Sequence, residues 1–217
     1  MGKVVTIDGP AGAGKSTAAK ALAQRLGWSF LDTGAMYRVV TLVAIEAGVD
    51  LDDQEILARL TDEISPRFED QRVLLGDRDV TADIRDPRVT RSARYAANAQ
   101  NVRERLVQWQ RAAAAARNVV TEGRDQGTIV FPDALAKFFL EASDDERALR
   151  RHRELTAKGH RIDFDEVLAD QRRRDQEDRT REIAPMRPAE DAVLIDSTGK
   201  TLDEVLDEML QRLNPYL

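Results

Sequence analysis

Eight consecutive residues, Gly9-Pro10-Ala11-Gly12-Ala13-Gly14-Lys15-Ser16, fit the pattern GxxxxGK[ST]. Each residue type has a use in phosphate chemistry. Glycines let successive backbone N–H groups point inward at phosphate oxygens, and the start of a helix adds its partial positive charge. Lys15 supplies a mobile cation, the Ser16 hydroxyl is an oxygen ligand suited to Mg²⁺, and Thr17 completes the residues expected at the nucleotide. VVTID precedes the loop and AAKALAQRL follows it, so the segment reads as strand, loop, helix, the context in which the pattern binds nucleotide. A glycine-rich turn without a ligand is the poorer account.

Phosphate loops of this kind serve phosphotransferases, GTPase switches and ATP-driven machines. The chain contains no guanine-reading NKxD, which weakens the GTPase alternative. Asp8, Glu122 and Asp125 close early and middle strands, whose ends converge at the ligand crevice of an open α/β sheet, so these acids are expected to face phosphate. Asp196 of VLID also ends a strand. Its place near the C-terminus puts it beside a nucleotide base rather than the phosphates.

The elements that must position these groups follow from the pattern. VVTID (4–8), SFLD (29–32), NVVTEGRD (118–125), KFFLEAS (137–143) and VLID (193–196) read as buried strands alternating with helices. That rhythm predicts an α/β fold of three layers, a P-loop NTPase-type domain with a central five-stranded parallel sheet. RFED and RVLLGDRDVT depart from it, and with Gly76-Asp77 as a hairpin they predict a small antiparallel insertion over 65–81. Helices are expected from Asp52, after Asp86-Pro87 and over 102–117, where the alanine run 112–116 is expected to pack against a sheet.

Composition sets the outer limits. The 217 residues are 42% hydrophobic and 33% charged, too apolar for disorder and too charged for a membrane protein. No apolar run approaches the roughly 18–20 residues of a membrane span, and MGKVVTIDGP lacks a basic-then-apolar leader, so a cytoplasmic location is expected. The absence of cysteine excludes disulfides, thiolate zinc sites and a cysteine nucleophile. His152 and His160 are too few for a histidine metal cage and are expected on solvated surface.

The net charge of −6 argues against a general polyanion-binding surface, so no nucleic-acid partner is expected. The charge is uneven. Residues 1–143 carry 19 Lys+Arg against 20 Asp+Glu, residues 144–181 carry 11 against 11, and residues 182–217 carry 3 against 8. The middle block is expected to be solvated helix rather than core, with arginines available to close over phosphates.

LDTGAMYR (31–38), VTEGRDQGTIVFPDA (120–134) and RRRDQEDRTREIAPMRPAEDAVLIDST (172–198), in order after the phosphate loop, resemble the bacterial cytidylate kinase family over essentially the whole chain. The resemblance implies a single P-loop kinase domain over 1–217, with 62–96 as an acceptor-binding insertion that moves toward the phosphate loop on CMP binding. It implies 147–177 as a helical lid, ATP and Mg²⁺ at the loop, CMP or dCMP as acceptor, and a monomer. Arg124 and Asp125 of GRD, with Arg38, fall where the family meets the CMP phosphate. Arg174, Asp178 and Arg181 of RDxxDxxR fall where it meets the acceptor ribose and its phosphate surroundings. Thr33 and Tyr37 line the acceptor site, Arg103 reads cytosine, and Arg150 and Arg151 are the lid arginines. Arg94 stands where the family often has serine near the cytosine amino group, and a cation cannot accept from that group.

Two alternatives stay open on the residues alone. One is a P-loop kinase for another small acceptor, such as UMP or a non-nucleotide metabolite. The other is a P-loop regulatory ATPase, which would hydrolyse ATP slowly without an acceptor.

Overall fold

The computed structural model describes residues 2–69, 72–157 and 159–216, with Tyr216 described by its backbone alone. Asp70 and Gln71 of the expected antiparallel unit, Lys158 of the expected lid and the terminal Met1 and Leu217 lie outside the described residues. The chain divides into two compact units, one of 1–31 with 117–217 and one of 32–116.

The first unit is built on a five-stranded sheet. Its strands are β1 (Val4–Asp8), β2 (Ser29–Asp32), β6 (Val119–Gly123), β7 (Ala136–Glu141) and β8 (Val193–Asp196), in the spatial order β2-β6-β1-β7-β8. β1 pairs in parallel with β6 on one side and β7 on the other, and β7 pairs in parallel with β8. Parallel strands covered on both faces read as unbroken apolar runs, and Val5 to Asp8 are all buried accordingly. Helices α1 (Lys15–Leu26) and α8 (Leu202–Leu213) lay Ala18, Ala19, Leu22, Val205, Leu206 and Met209 against Val5, Ile7, Val120, Phe138 and Leu140 of the sheet. Helix α8 opens on a reciprocal capping box, in which Thr201 Oγ1 accepts from the Glu204 N–H and Glu204 accepts from the Thr201 N–H.

Helices α6 (Asp144–Ala157) and α7 (Phe164–Thr180) pack on each other in this unit. Here the expectation of a block wholly outside the core fails. Arg147 and Asp175 are each 1% exposed, alongside buried Ala148, Val167 and Gln171. The two opposite charges neutralise each other, so a charge-dense sequence enters the interior as a pair.

The second unit holds α2 (Thr33–Glu46), α3 (Gln54–Glu63), the antiparallel strands β3 (Arg67–Phe68), β4 (Val73–Leu75) and β5 (Arg78–Asp79), then α4 (Pro87–Asn98) and α5 (Gln100–Ala115). The expected hairpin sits between β4 and β5. Asp53 caps α3 through the Glu55 and Ile56 N–H groups, and Asp86 caps α4 ahead of a proline at the first helical position. The core joins Ala35, Val39 and Leu42 of α2 to Val73, Val80, Ile84 and Val89.

The alanine run of α5 does not lie on a sheet. Within it Ala114 is buried while Ala112, Ala115 and Ala116 are exposed, and α5 packs on α3 and α4. Alanine is the strongest helix former whether or not it is buried, so the run reports helix propensity and not an apolar partner. The 62–96 segment, from the end of α3 through most of α4, lies within this second unit.

Candidate active site

The phosphate loop leaves the C-terminal end of β1, a central strand, and enters α1. Register places Ile7 beside Glu122 and Asp8 beside Gly123, so the end of β6 lies next to the root of the loop. The Ser16 hydroxyl donates to Glu122 Oε1 at 3.0 Å. Lys15 is buried at 5% exposure and donates from Nζ to the Pro10 carbonyl at 2.7 Å. Burial, followed by the nearby Arg124 charge, lowers its pKa to about 7. Ser16 and Thr17 are exposed at the loop mouth.

Asp8 also holds a neighbouring turn. Its two oxygens accept from the Gln126 N–H at 2.9 Å and the Gly127 N–H at 2.8 Å. It thereby anchors the wide turn Gln126–Val130 that follows β6, while its charge also acts on Lys15 of the phosphate loop. Burial raises its pKa to about 6 although both amides lower it. Gln126, in the same turn, is buried and accepts from the Thr121 hydroxyl at 3.0 Å. Asp196 is exposed on edge strand β8 and accepts from the N–H and hydroxyl of Thr198.

Two motifs distant in sequence meet beside this turn. Arg124 donates from Nε to Asp178 Oδ2 at 2.7 Å, joining GRD to RDxxDxxR. Arg181 lies 3.7 Å from Asp178 Oδ1 and 3.9 Å from Asp125 Oδ1, and donates to the Ala184 carbonyl at 2.6 Å. Arg124, Asp125, Asp178 and Arg181 therefore form one cluster. Arg174 pairs with Asp170 one helical turn back.

The lid arginines differ from each other. Arg150 donates to the Ser197 carbonyl at 2.7 Å and its hydroxyl at 3.1 Å, and its Nη1 lies 3.7 Å from where a side chain on Gly14 would begin. It is held against the phosphate loop. Arg151 pairs with Glu154 on its own helix and is 40% exposed.

In the second unit, Asp32 caps α2 by accepting from the Ala35 N–H, and the same carboxylate pairs with Arg38 at 3.2 Å. Thr33 is buried in the first turn. Arg103 is 4% exposed, donates to the Ala97 carbonyl at 3.3 Å, and lies 5.8 Å above the centre of the Tyr37 ring, at cation–π distance. Arg94 is exposed and lies over the neighbouring Tyr95 ring.

Three residues at the loop escaped sequence reasoning. The Ala11 N–H donates to Asp175 Oδ1 at 3.1 Å, the Ala11 carbonyl accepts from Arg147 Nη1 at 2.7 Å, and the Ser197 hydroxyl donates to the Ala13 carbonyl at 3.1 Å. The one available signal was Asp175 inside RDxxDxxR. Arg147 and Ser197 carry none, because an arginine in a charged helix and a serine in a turn read as surface.

Residues 5–215 match the family described as Cytidylate kinase. The chain is 47% identical over 208 residues to the cytidylate kinase of Rhodopirellula baltica, covering 96% of this chain and 91% of that protein. It is likewise 47% identical over 211 residues to the cytidylate kinase of Carboxydothermus hydrogenoformans, covering 95% of each. Among solved structures, an uncharacterized protein from Eubacterium ventriosum superposes with a TM-score of 0.56 at 12% identity over 98% of both chains, a likeness of fold alone. No helix among the described residues is long and apolar enough to cross a membrane. With the match running from the first strand to the last helix, this chain belongs to the cytidylate kinase family.

Proposed function

We propose that the chain transfers the γ-phosphoryl group of ATP to CMP or dCMP, giving ADP and CDP or dCDP. The observation that carries this reading is the Arg124–Asp178 contact, which joins the two motifs that the family resemblance assigns to the acceptor nucleotide. Arg124 and Arg38 hold the acceptor phosphate, Asp178 accepts from a sugar hydroxyl, and Asp125 and Arg181 fix the pair. Arg103 presents a planar donor fork suited to cytosine O2 and N3, stiffened by Tyr37. Thr33 adds a hydroxyl donor and Arg174 a further cation at the sugar side. Segment 62–96 serves as the acceptor insertion and 147–177 as the lid.

Loop 9–17 holds the β- and γ-phosphates of ATP through the amides that follow Ala11 and through Lys15, the Ala11 N–H itself being taken by Asp175. Ser16 Oγ and Glu122 Oε1 are oxygen donors 3.0 Å apart at the loop mouth, which fits a Mg²⁺ ion that takes one or two protein oxygens and completes its shell with phosphate oxygens and water. When bound there, the ion neutralises charge between the β- and γ-phosphates. Arg150, already against the loop, is the lid cation favoured at the transferring group, with Arg151 behind it.

No general base is required. The second ionisation of a phosphate monoester lies near pH 6, so the attacking oxygen is already largely deprotonated at neutral pH, and catalysis is placement plus charge. The test is coupled ADP production with CMP, dCMP, UMP and AMP side by side. CMP and dCMP should support turnover well above the other two. Equal rates with all four, or ADP release without an acceptor, would overturn the reading.

A further inference from the structure

Both backbone polar groups of Ala11, in the middle of the phosphate loop, are taken by one buried ion pair. Asp175 Oδ1 accepts from the Ala11 N–H at 3.1 Å and Arg147 Nη1 donates to its carbonyl at 2.7 Å, while Arg147 Nη1 also donates to Asp175 Oδ2. The pair is 1% exposed on each side and joins α6 to α7. Arg147 is fixed in turn by the Ala142 carbonyl at 3.1 Å and by Asp144 at 2.6 Å, and Asp144 is held by Arg172 at 2.8 Å. Four of the five N–H groups of the guanidinium are thus spent on holding a backbone or a carboxylate.

We infer that Arg147 and Asp175 are positioning residues for the ATP-binding loop, so that RDxxDxxR serves both nucleotides: Asp175 orients the donor loop while Asp178 and Arg181, on the same helix end, address the acceptor. The inference rests on the kinase reading above. Its physical basis is the fixed orientation of the two peptide units that flank Ala11. A phosphate loop binds through amides aimed in advance, and the two peptide planes that meet at Ala11, one held by its N–H and the next by its carbonyl, cannot turn without breaking contacts to a buried charge pair; the second plane carries the Gly12 N–H. The base of the expected lid is therefore bolted to the donor site.

Two variants test it. Arg147→Met with Asp175→Leu removes both charges together, which leaves no unpaired buried ion. Asp175→Asn keeps the shape, but an amide has one oxygen where the carboxylate uses two, so either Ala11 or Arg147 must face an NH₂ group. For each variant, ATP and CMP are titrated separately by calorimetry with magnesium chloride present, and the thermal midpoint is recorded. Loss of a hydrogen bond to a charged group predicts an ATP Kd raised about ten- to a hundredfold, with the CMP Kd within about twofold of the parent. An unchanged ATP Kd in either folded variant, or ATP and CMP weakened by the same factor, would overturn the inference. Should the parent protein bind ATP yet make no ADP from CMP, the kinase reading fails, while the ATP titrations still decide the role of the pair.

Discussion

Gly9 and Gly14 occupy equivalent places in the loop pattern, yet substitution by alanine should separate them sharply. At Gly9, φ is +142°, and an added Cβ would lie 2.1 Å from the Leu140 carbonyl oxygen and 3.0 Å from its carbon. That approach is about 1 Å inside ordinary contact, and the obstacle is the backbone of β7, which cannot swing away like a side chain. Relief requires parting the end of β1 from β7. An unfavourable backbone conformation costs about 1–3 kcal/mol and overpacking about 1–3 kcal/mol more, so about 4 kcal/mol is expected. At Gly14, φ is +90° and the nearest atom is Arg150 Nη1 at 3.7 Å, so only the left-handed conformation counts, at about 1–2 kcal/mol. Total stability of such a domain is about 5–15 kcal/mol, so Gly14→Ala should fold and Gly9→Ala should be marginal. Urea unfolding followed by tryptophan fluorescence, to which Trp28 on the sheet core contributes, reads the difference. With a slope of about 1–3 kcal/mol per molar, the Gly9→Ala midpoint should lie about 1–2 M below that of Gly14→Ala. Coincident midpoints would refute the steric argument.

Lys15 gives a pH prediction of definite sign. Its native pKa of about 7 lies below the usual 10.5, so between those values the unfolded chain binds more protons and the stability contributed by Lys15 rises with pH. The penalty is full below about pH 7; Lys15→Met should therefore stabilise the fold more at pH 6.5 than at pH 9, by about 2–3 kcal/mol, and a gain independent of pH in urea titrations would count against a depressed lysine. Because phosphate prefers the protonated amine, ATP affinity measured by calorimetry should fall as pH rises above about 7. Asp178→Ala should raise the CMP KM about tenfold or more and leave the ATP KM within about twofold in steady-state assays; an unchanged CMP KM would remove the ribose role. CMP should slow hydrogen exchange of amides within 62–96, and absence of CMP-dependent protection there would contradict its assignment as the acceptor insertion.

Much of this protein is legible in its residues because local chemistry leaves local marks. The β-branched run VVTID, the glycines before Lys15, the turn at Gly76-Asp77 and the Asp86-Pro87 cap each predict an element that the structure contains. Their information is short in range: a strand beside a glycine-rich turn and a helix start needs no distant partner to be recognised. GRD and RDxxDxxR were legible as motifs for the same reason, and resemblance supplied their roles.

Tertiary structure alone decided which partners each charge around the loop meets. Asp8 and Glu122 both end central strands next to the loop, yet Asp8 binds two turn amides while Glu122 meets Ser16. Arg147 and Arg150 share a helix and a charge. One is buried on Ala11 and Asp175, and the other rests beside Gly14. A sequence records that a side chain is charged, but whether the charge faces water, a backbone or a substrate can depend on a partner far along the chain, 164 residues away for Ala11 and Asp175. Burial makes an ion depend on those partners, and only the folded chain brings them to it.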